Sequence, residues 1–197
     1  MRTDIFSLII ISFVIVISYR IYSNSDMFQL KCIISDVDGE KYCVRERNKL
    51  ELAADKLAEV NKNLKSIVKY CCEKFPDNEL VIRMKKGYNP KKIMETLPTS
   101  EYTAYSENKG EKLAFCLDTK KNSQGKLIDL NTLTYVAIHE LSHIATLSIG
   151  HTPEFWKNFK FLLNVAKDIN VYEPIDYKNN PQQYCGMTIS DNPYFDS

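Results

Sequence analysis

Histidine is nearly absent from this 197-residue sequence: there are three, and all fall between positions 139 and 151. Excess charge is absent too. The formal net charge is +1, so the overall balance offers no electrostatic footprint for a nucleic-acid backbone. No C-x-x-C pair occurs among the six cysteines, which argues against a cysteine-built zinc site. Internal repeats and low-complexity segments are also lacking, which sets aside solenoids and biased tails. The remaining length suffices for one well-packed core and little beyond it. Charged residues, at 26%, are as frequent as in an ordinary globular domain.

One long apolar run is present, at the N-terminus. Ile5 to Tyr19 is apolar apart from three serines, and Ile21 and Tyr22 extend the run past Arg20. A membrane-spanning helix takes about 20 such residues, and a lone Arg20 near its end can snorkel to the headgroups. Residues 1–24 therefore read as a single-pass membrane anchor with its linker, and residues 25–197 as one domain. Arg2 would serve as the basic region of a signal peptide, but no small-x-small cleavage pattern follows the run. If the segment is cleaved, the product is secreted. Charges on the two flanks, Arg2 and Asp4 against Arg20 and Lys31, set no topology.

An even number of cysteines behind an export-like segment suits an oxidising compartment. The turn Asp36-Val37-Asp38-Gly39 places Cys32 opposite Cys43 on paired strands, within disulfide reach. Cys71 and Cys72 are adjacent, so each is expected to pair elsewhere, with Cys116 or Cys185, or else to remain a buried thiol. Asp36, Asp38 and Gly39 also resemble a piece of a calcium loop, but the other ligands of such a loop are missing and turn chemistry accounts for them.

Patterning predicts an α+β domain. Leu30 to Val44 forms a hairpin. Asn48 to Phe75 carries apolar residues three and four apart and forms one amphipathic helix, stopped by Pro76-Asp77-Asn78. Leu80-Val81-Ile82 suggests a strand from Glu79 to Met84, followed by the turn Gly87-Tyr88-Asn89-Pro90 and a short helical turn from Lys91 to Leu97. Glu101 to Ser106 and Glu111 to Asp118 are strands joined by Glu107-Asn108-Lys109-Gly110. Together they predict a small mixed or antiparallel sheet, and an exposed edge of it can hold an extended substrate by main-chain hydrogen bonds. Ser23 to Met27 is a polar linker and Thr119 to Asp129 a surface loop. Asn131 or Asp129 caps a helix running to about Ser148, ended by Ile149-Gly150. Thr152 caps the next, with Pro153 at its first position. That helix extends to Asp168 and buries Phe155, Trp156, Phe159 and Leu162. The tail after it is a loop-rich wrap.

The chemistry concentrates in the penultimate helix. His139-Glu140-Leu141-Ser142-His143 is an H-E-x-x-H pattern, and residues four apart share a helix face, so His139 and His143 can present two imidazoles to one ion. Glu140 stands beside that face, where a carboxylate can act as general base on water. His151 follows a glycine that lets the chain turn back, supplying the third ligand that catalytic zinc takes. Tail Asp and Asn side chains are candidates to hold the imidazole N–H groups. Tyr172, Tyr177 and Tyr184 are candidates to stabilise an oxyanion.

His139-Glu140-Leu141-Ser142-His143, Gly150-His151 and Phe155-Trp156 together resemble the minimal zincins of the WLM and SprT-like groups. The layout ahead of the motif, Asn108-Lys109-Gly110, Cys116 and Asn131-Thr132-Leu133, is similar to uncharacterised metallopeptidase-like proteins of large DNA viruses. The resemblance spans about Glu101 to Tyr194. It implies a zincin-like fold, Zn2+ on His139, His143 and His151, Glu140 as the catalytic acid and base, and a protein or peptide substrate. The third histidine comes later than in metzincins, and no Met-turn can be assigned, although Met187 is present. The reading is a membrane-anchored zinc metallopeptidase. Two alternatives stand beside it: a SprT-like protease acting on DNA-crosslinked proteins, and a non-catalytic viral membrane or virion protein with a structural zinc site.

Overall fold

The computed structural model describes residues 4–23, 29–120 and 126–196. Most of the predicted linker from Ser23 to Met27, and the middle of the loop predicted from Thr119 to Asp129, lie outside the described residues. Helix α1 (Ile5–Ser23) has 19 residues, none of them buried. At 1.5 Å per residue it measures about 28 Å, close to the hydrocarbon thickness of a bilayer. It is one helix long and apolar enough to cross a membrane, a description that a signal sequence also meets.

The rest of the chain is α+β. In order it runs β1 (Leu30–Ile34), β2 (Lys41–Arg45), α2 (Leu50–Lys74), α3 (Glu79–Gly87), β3 (Ile93–Glu95), β4 (Ala104–Glu107), β5 (Lys112–Phe115), α4 (Leu130–Ala145), α5 (Pro153–Asp168), β6 (Gln182–Tyr184) and β7 (Met187–Ile189), with a closing 3-10 turn at Pro193–Phe195. The main sheet is mixed, in the order β1-β2-β3-β5-β4. The two outer pairs, β1 with β2 and β4 with β5, are antiparallel, whereas β3 lies parallel to both β2 and β5. This leaves β4 at the edge. Helix α2 covers β1 to β3 and α4 packs beside β4, while α4 also touches α2, α3 and α5. The motif helix is therefore the centre of the molecule, and it is buried along nearly its whole length.

Two predicted elements change type. Glu79–Gly87 is a helix, not a strand. The Asn78 side chain accepts from the Leu80 N–H as an N-cap, and Leu80, Val81 and Met84 turn inward while Ile82 stays exposed. A three-residue apolar run does not discriminate strand from helix; the cap and the 3–4 spacing do. Conversely, the helical turn expected from Lys91 to Leu97 contains strand β3. Its short Ile-Met-Glu sequence shows little alternation, and the strand is specified by partners on both sides, Met94 facing Cys43 and Ile93 facing Leu113.

Two disulfides form. Cys32–Cys43 joins directly paired residues of β1 and β2, as expected. Cys116 pairs with Cys185, and Cys71 and Cys72 remain thiols. The expectation that Cys71 or Cys72 bonds to Cys116 or Cys185 thus fails. Cys71 and Cys72 lie on α2, with Cys71 facing the core, whereas Cys116 leaves β5 where the β6–β7 hairpin docks. Cys185 and Gly186 form the left-handed turn of that hairpin, at φ 49° and 81°, and donate their N–H groups to the carbonyls of Asp118 and Thr119. Arg47 adds ion pairs to Glu95 and Asp118, tying the end of β2 to β3 and to the exit of β5.

One contact leaves no room for side chains. A Cβ on Gly87 would sit 2.4 Å from the Lys109 carbonyl oxygen, and one on Gly110 would sit 2.5 Å from that of Gly87. The end of α3 and the β4–β5 turn therefore meet backbone to backbone, which fixes the height of that turn beside α4.

Candidate metal centre

The motif helix starts where Asp129, not Asn131, caps it by accepting from the Thr132 N–H at 2.8 Å. It ends at Ala145, earlier than the predicted Ser148. The Thr146 hydroxyl donates to the Ser142 carbonyl at 2.7 Å, and the Lys109 ammonium donates to the carbonyls of His143, Thr146 and Ser148 at 3.1, 2.8 and 3.1 Å. These bonds satisfy carbonyls that a helix end leaves without partners. Gly150, at φ +82°, consequently lies in the following loop and not at the helix terminus. Thr152 caps α5 as expected, its hydroxyl accepting from the Phe155 N–H.

This geometry brings the three predicted ligands together. Nε2 of His139 lies 3.2 Å from Nε2 of His143 and 3.0 Å from Nε2 of His151, and the three rings form a cluster able to hold a metal ion. Phe155 lies beneath all of them, stacked on His143 at 4.3 Å between centroids and edge-on to His139 and His151 at 4.9 and 4.8 Å. Trp156 lies 5.6 Å from His151 and is partly exposed rather than buried as predicted. Burial, followed by the charges of neighbouring imidazoles, pushes His139 down to about 3. Burial, His151 and Lys109 push His143 down to about 4. Both rings are therefore neutral at physiological pH and have lone pairs to offer a cation.

Glu140 is 6% exposed. Burial raises its carboxyl from 4.5 to about 8, opposed by a hydrogen bond from the Ser106 N–H. That bond attaches the carboxylate to the open edge of β4. Across β4–β5 the Cys116 N–H donates to the Thr103 carbonyl. Bonded positions alternate along an antiparallel ladder, so the backbone groups of Ala104 and Ser106 point away from β5. They point into a cleft of about 1230 Å³ lined by β4, α4, the α4–α5 loop and the β6–β7 hairpin, with Glu140 and the three histidines in its wall.

Other predicted participants lie elsewhere. Tyr172 is held by the side chain of Asn192 and Tyr177 packs edge-on to Tyr135; neither lines the cleft. Tyr184 does line it, with its hydroxyl donating to the Thr103 carbonyl at 3.1 Å. Among the described residues, the tail Asp and Asn side chains bond elsewhere: Asp176 to Lys178 and Asn179, Asp191 and Asp196 to Lys178, and Asn192 to Tyr172 and Ile175. Sequence reasoning missed Ser106 and Lys109, whose roles depend on the register of β4 and on the Gly87–Gly110 contact.

Among known proteins, uncharacterized protein R325 of Acanthamoeba polyphaga mimivirus is 33% identical to this chain over 162 residues, covering 80% of this chain and 81% of that protein. Uncharacterized protein 136R of Invertebrate iridescent virus 6 is 30% identical over 98 residues, 49% of this chain and 53% of that protein. No family model matches the chain, and no solved structure matches it.

Proposed function

The chain belongs to a family of large-DNA-virus proteins that includes the mimivirus R325 protein, and from the site it carries we propose that it is a zinc-dependent metallopeptidase with a zincin-like active site, anchored in a membrane by α1. The observation that carries this reading is the convergence of three imidazoles beside a buried carboxylate in one open cleft. The donor set fits zinc. Four-coordinate Zn–N bonds of about 2.0–2.1 Å separate the nitrogens by about 3.3 Å, against 3.2 and 3.0 Å here. Three protein ligands facing a cleft suit a catalytic site better than a closed structural one, which takes four.

A zinc ion on these histidines supplies a Lewis acid for a scissile carbonyl and acidifies water. The chain's own residues do the rest. Glu140 accepts the proton of the attacking water at its carboxylate and returns it to the leaving amine. Burial raises its proton affinity, which favours the proton's capture, and the positive charge of a bound cation would offset that rise, so one group can serve as base and then as acid. The Ser106 N–H keeps that carboxylate on the cleft wall, and β4 aligns an extended peptide along the same edge. The alternative of a protease acting on DNA-crosslinked proteins gains nothing from the cleft, whose walls carry Glu101, Glu107 and Asp191 against Lys109.

Metal analysis of purified protein, with cleavage of an unfolded-protein or peptide library, tests the reading. One zinc per chain is expected. Glu140→Gln should keep the zinc and lose about a hundredfold or more in rate. Zinc-bearing protein that cleaves nothing, and matches its Gln variant throughout, would leave a structural site.

A further inference from the structure

The walls of the cleft carry little free charge. Glu107 is paired with Lys112 at 2.7 Å and Asp191 with Lys178 at 3.1 Å. Lys109 is occupied by three carbonyls, and Glu101 has a partner as well. Large apolar side chains instead stand in solvent at the mouth. Ile149 is 89% exposed and Trp156 41%, both beside His151; Tyr102 is 67% exposed and Met187 48%, both at the start of β4. Surface hydrophobics scattered singly require no explanation, but a group gathered around one cleft marks a binding surface.

Between these two apolar groups runs the open edge of β4, where Ala104 directs an N–H and a carbonyl, and Ser106 a carbonyl, into the cleft. Lipid acyl chains cannot satisfy such groups; a polypeptide in extended form does so at strand spacing. Resting on the metallopeptidase reading, we infer that the cleft selects unfolded, extended segments that carry bulky apolar side chains next to the scissile bond, and discriminates against charged ones there. Ile149 and Met187 determine this specificity by direct contact. A charged side chain would meet apolar groups beside Glu107 and Asp191, which already pair with lysines, and Lys109, which already serves three carbonyls, and it would be desolvated without a partner of its own.

Trp156 is the sole tryptophan and sits in the rim, so its fluorescence reports occupancy. Full-length Glu140→Gln protein, loaded with zinc in phosphatidylcholine nanodiscs, is titrated with two octapeptides that differ only in their central pair, Leu-Phe or Asp-Lys. The apolar peptide should bind about tenfold more tightly or better, and Ile149→Asp and Met187→Asp should each remove most of that advantage while zinc content stays constant. Metal-free wild-type protein serves as a second binder in case the Gln variant is unstable. Equal affinity for the two peptides, or Asp variants that bind like the parent, would overturn the inference. So would quenching of Trp156 by brominated lipid that peptide does not relieve, which places the bilayer on the rim, or a dimer that excludes peptide, which places a second copy there. Zinc content and wild-type cleavage are measured in parallel. Cleavage without apolar preference refutes this inference alone, whereas apolar binding without zinc or cleavage refutes the metallopeptidase reading alone.

Discussion

Replacing Lys109 by methionine removes one ammonium group and leaves a side chain of nearly the same length. The ammonium donates to the carbonyls of His143, Thr146 and Ser148, so it holds both the end of the helix that carries His139 and His143 and the loop that leads to His151. The turn bearing Lys109 meets the end of α3 backbone to backbone at Gly87 and Gly110, which opposes a shift that would compensate. Loss of a hydrogen bond to a charged group costs about 1.5–3 kcal/mol when the partner is buried. Here one cation serves three acceptors and water reaches its exposed side, so a total of about 1–2 kcal/mol is the reasonable magnitude. For a chain of this length that lowers the melting temperature of metal-free protein by about 2–8 °C. Zinc affinity should fall further than global stability alone implies, by about tenfold, because the backbones of His143 and the His151 loop lose a common anchor. Circular-dichroism melts of EDTA-treated protein measure the first effect, and competition with a zinc-binding dye measures the second. A Lys109→Met protein that melts and binds zinc like the parent would refute the reasoning. A protein that is destabilised but retains full zinc affinity would reduce Lys109 to an ordinary helix cap.

Cys185→Ser opens a disulfide between residues 69 positions apart, worth about 4 kcal/mol on the chain-entropy model; the urea midpoint should drop accordingly while zinc content is unchanged, since all three ligands lie on α4 and the loop after it. Gly110→Ala puts a methyl group 2.5 Å from the Gly87 oxygen at φ +109° and should destabilise by about 1–3 kcal/mol, read from the same urea curves; an unchanged midpoint would show that the turn can move. In metal-free protein, burial raises the Glu140 carboxyl from 4.5 to about 8, so between those values the native state holds a proton that the unfolded chain has released. Wild-type stability should therefore lose ground to Glu140→Gln as pH rises from 5 to 8, at most by about 1.4 kcal/mol per unit, and parallel unfolding curves for the two proteins would contradict the burial of that carboxyl.

Features that depend on local rules were visible in the sequence. His139 and His143 are a helix-face pair, Thr152-Pro153 is a helix start, Cys32 and Cys43 flank a tight turn, and the apolar stripe of α2 specifies its own helix; each is set within one continuous stretch of chain, where residue spacing operates. Errors arose where distant partners decide. Leu80-Val81-Ile82 is too short to favour strand over helix, and β3 is a strand because β2 and β5 flank it. Cys116 is chosen by Cys185 because the β6–β7 turn docks at the end of β5, a contact with no local signature.

The same division runs through the candidate site. Its three histidines were legible because one helix and one loop carry them all, so that spacing alone brings them near each other. Its supports were not. Ser106 meets Glu140 only because the β4–β5 register turns its N–H outward, and Lys109 reaches the end of α4 only because two glycines let α3 and the β4–β5 turn touch. A carboxylate at position 140 without Ser106 would lose the backbone bond that holds it to the strand edge, and the loop leading to the third histidine would, without Lys109, depend on the bonds that Glu154 and Thr152 make to Leu147 and Ser148. The H-E-x-x-H pattern therefore specifies which atoms can meet an ion, while the strand edge and its turn determine whether they are held where chemistry can use them.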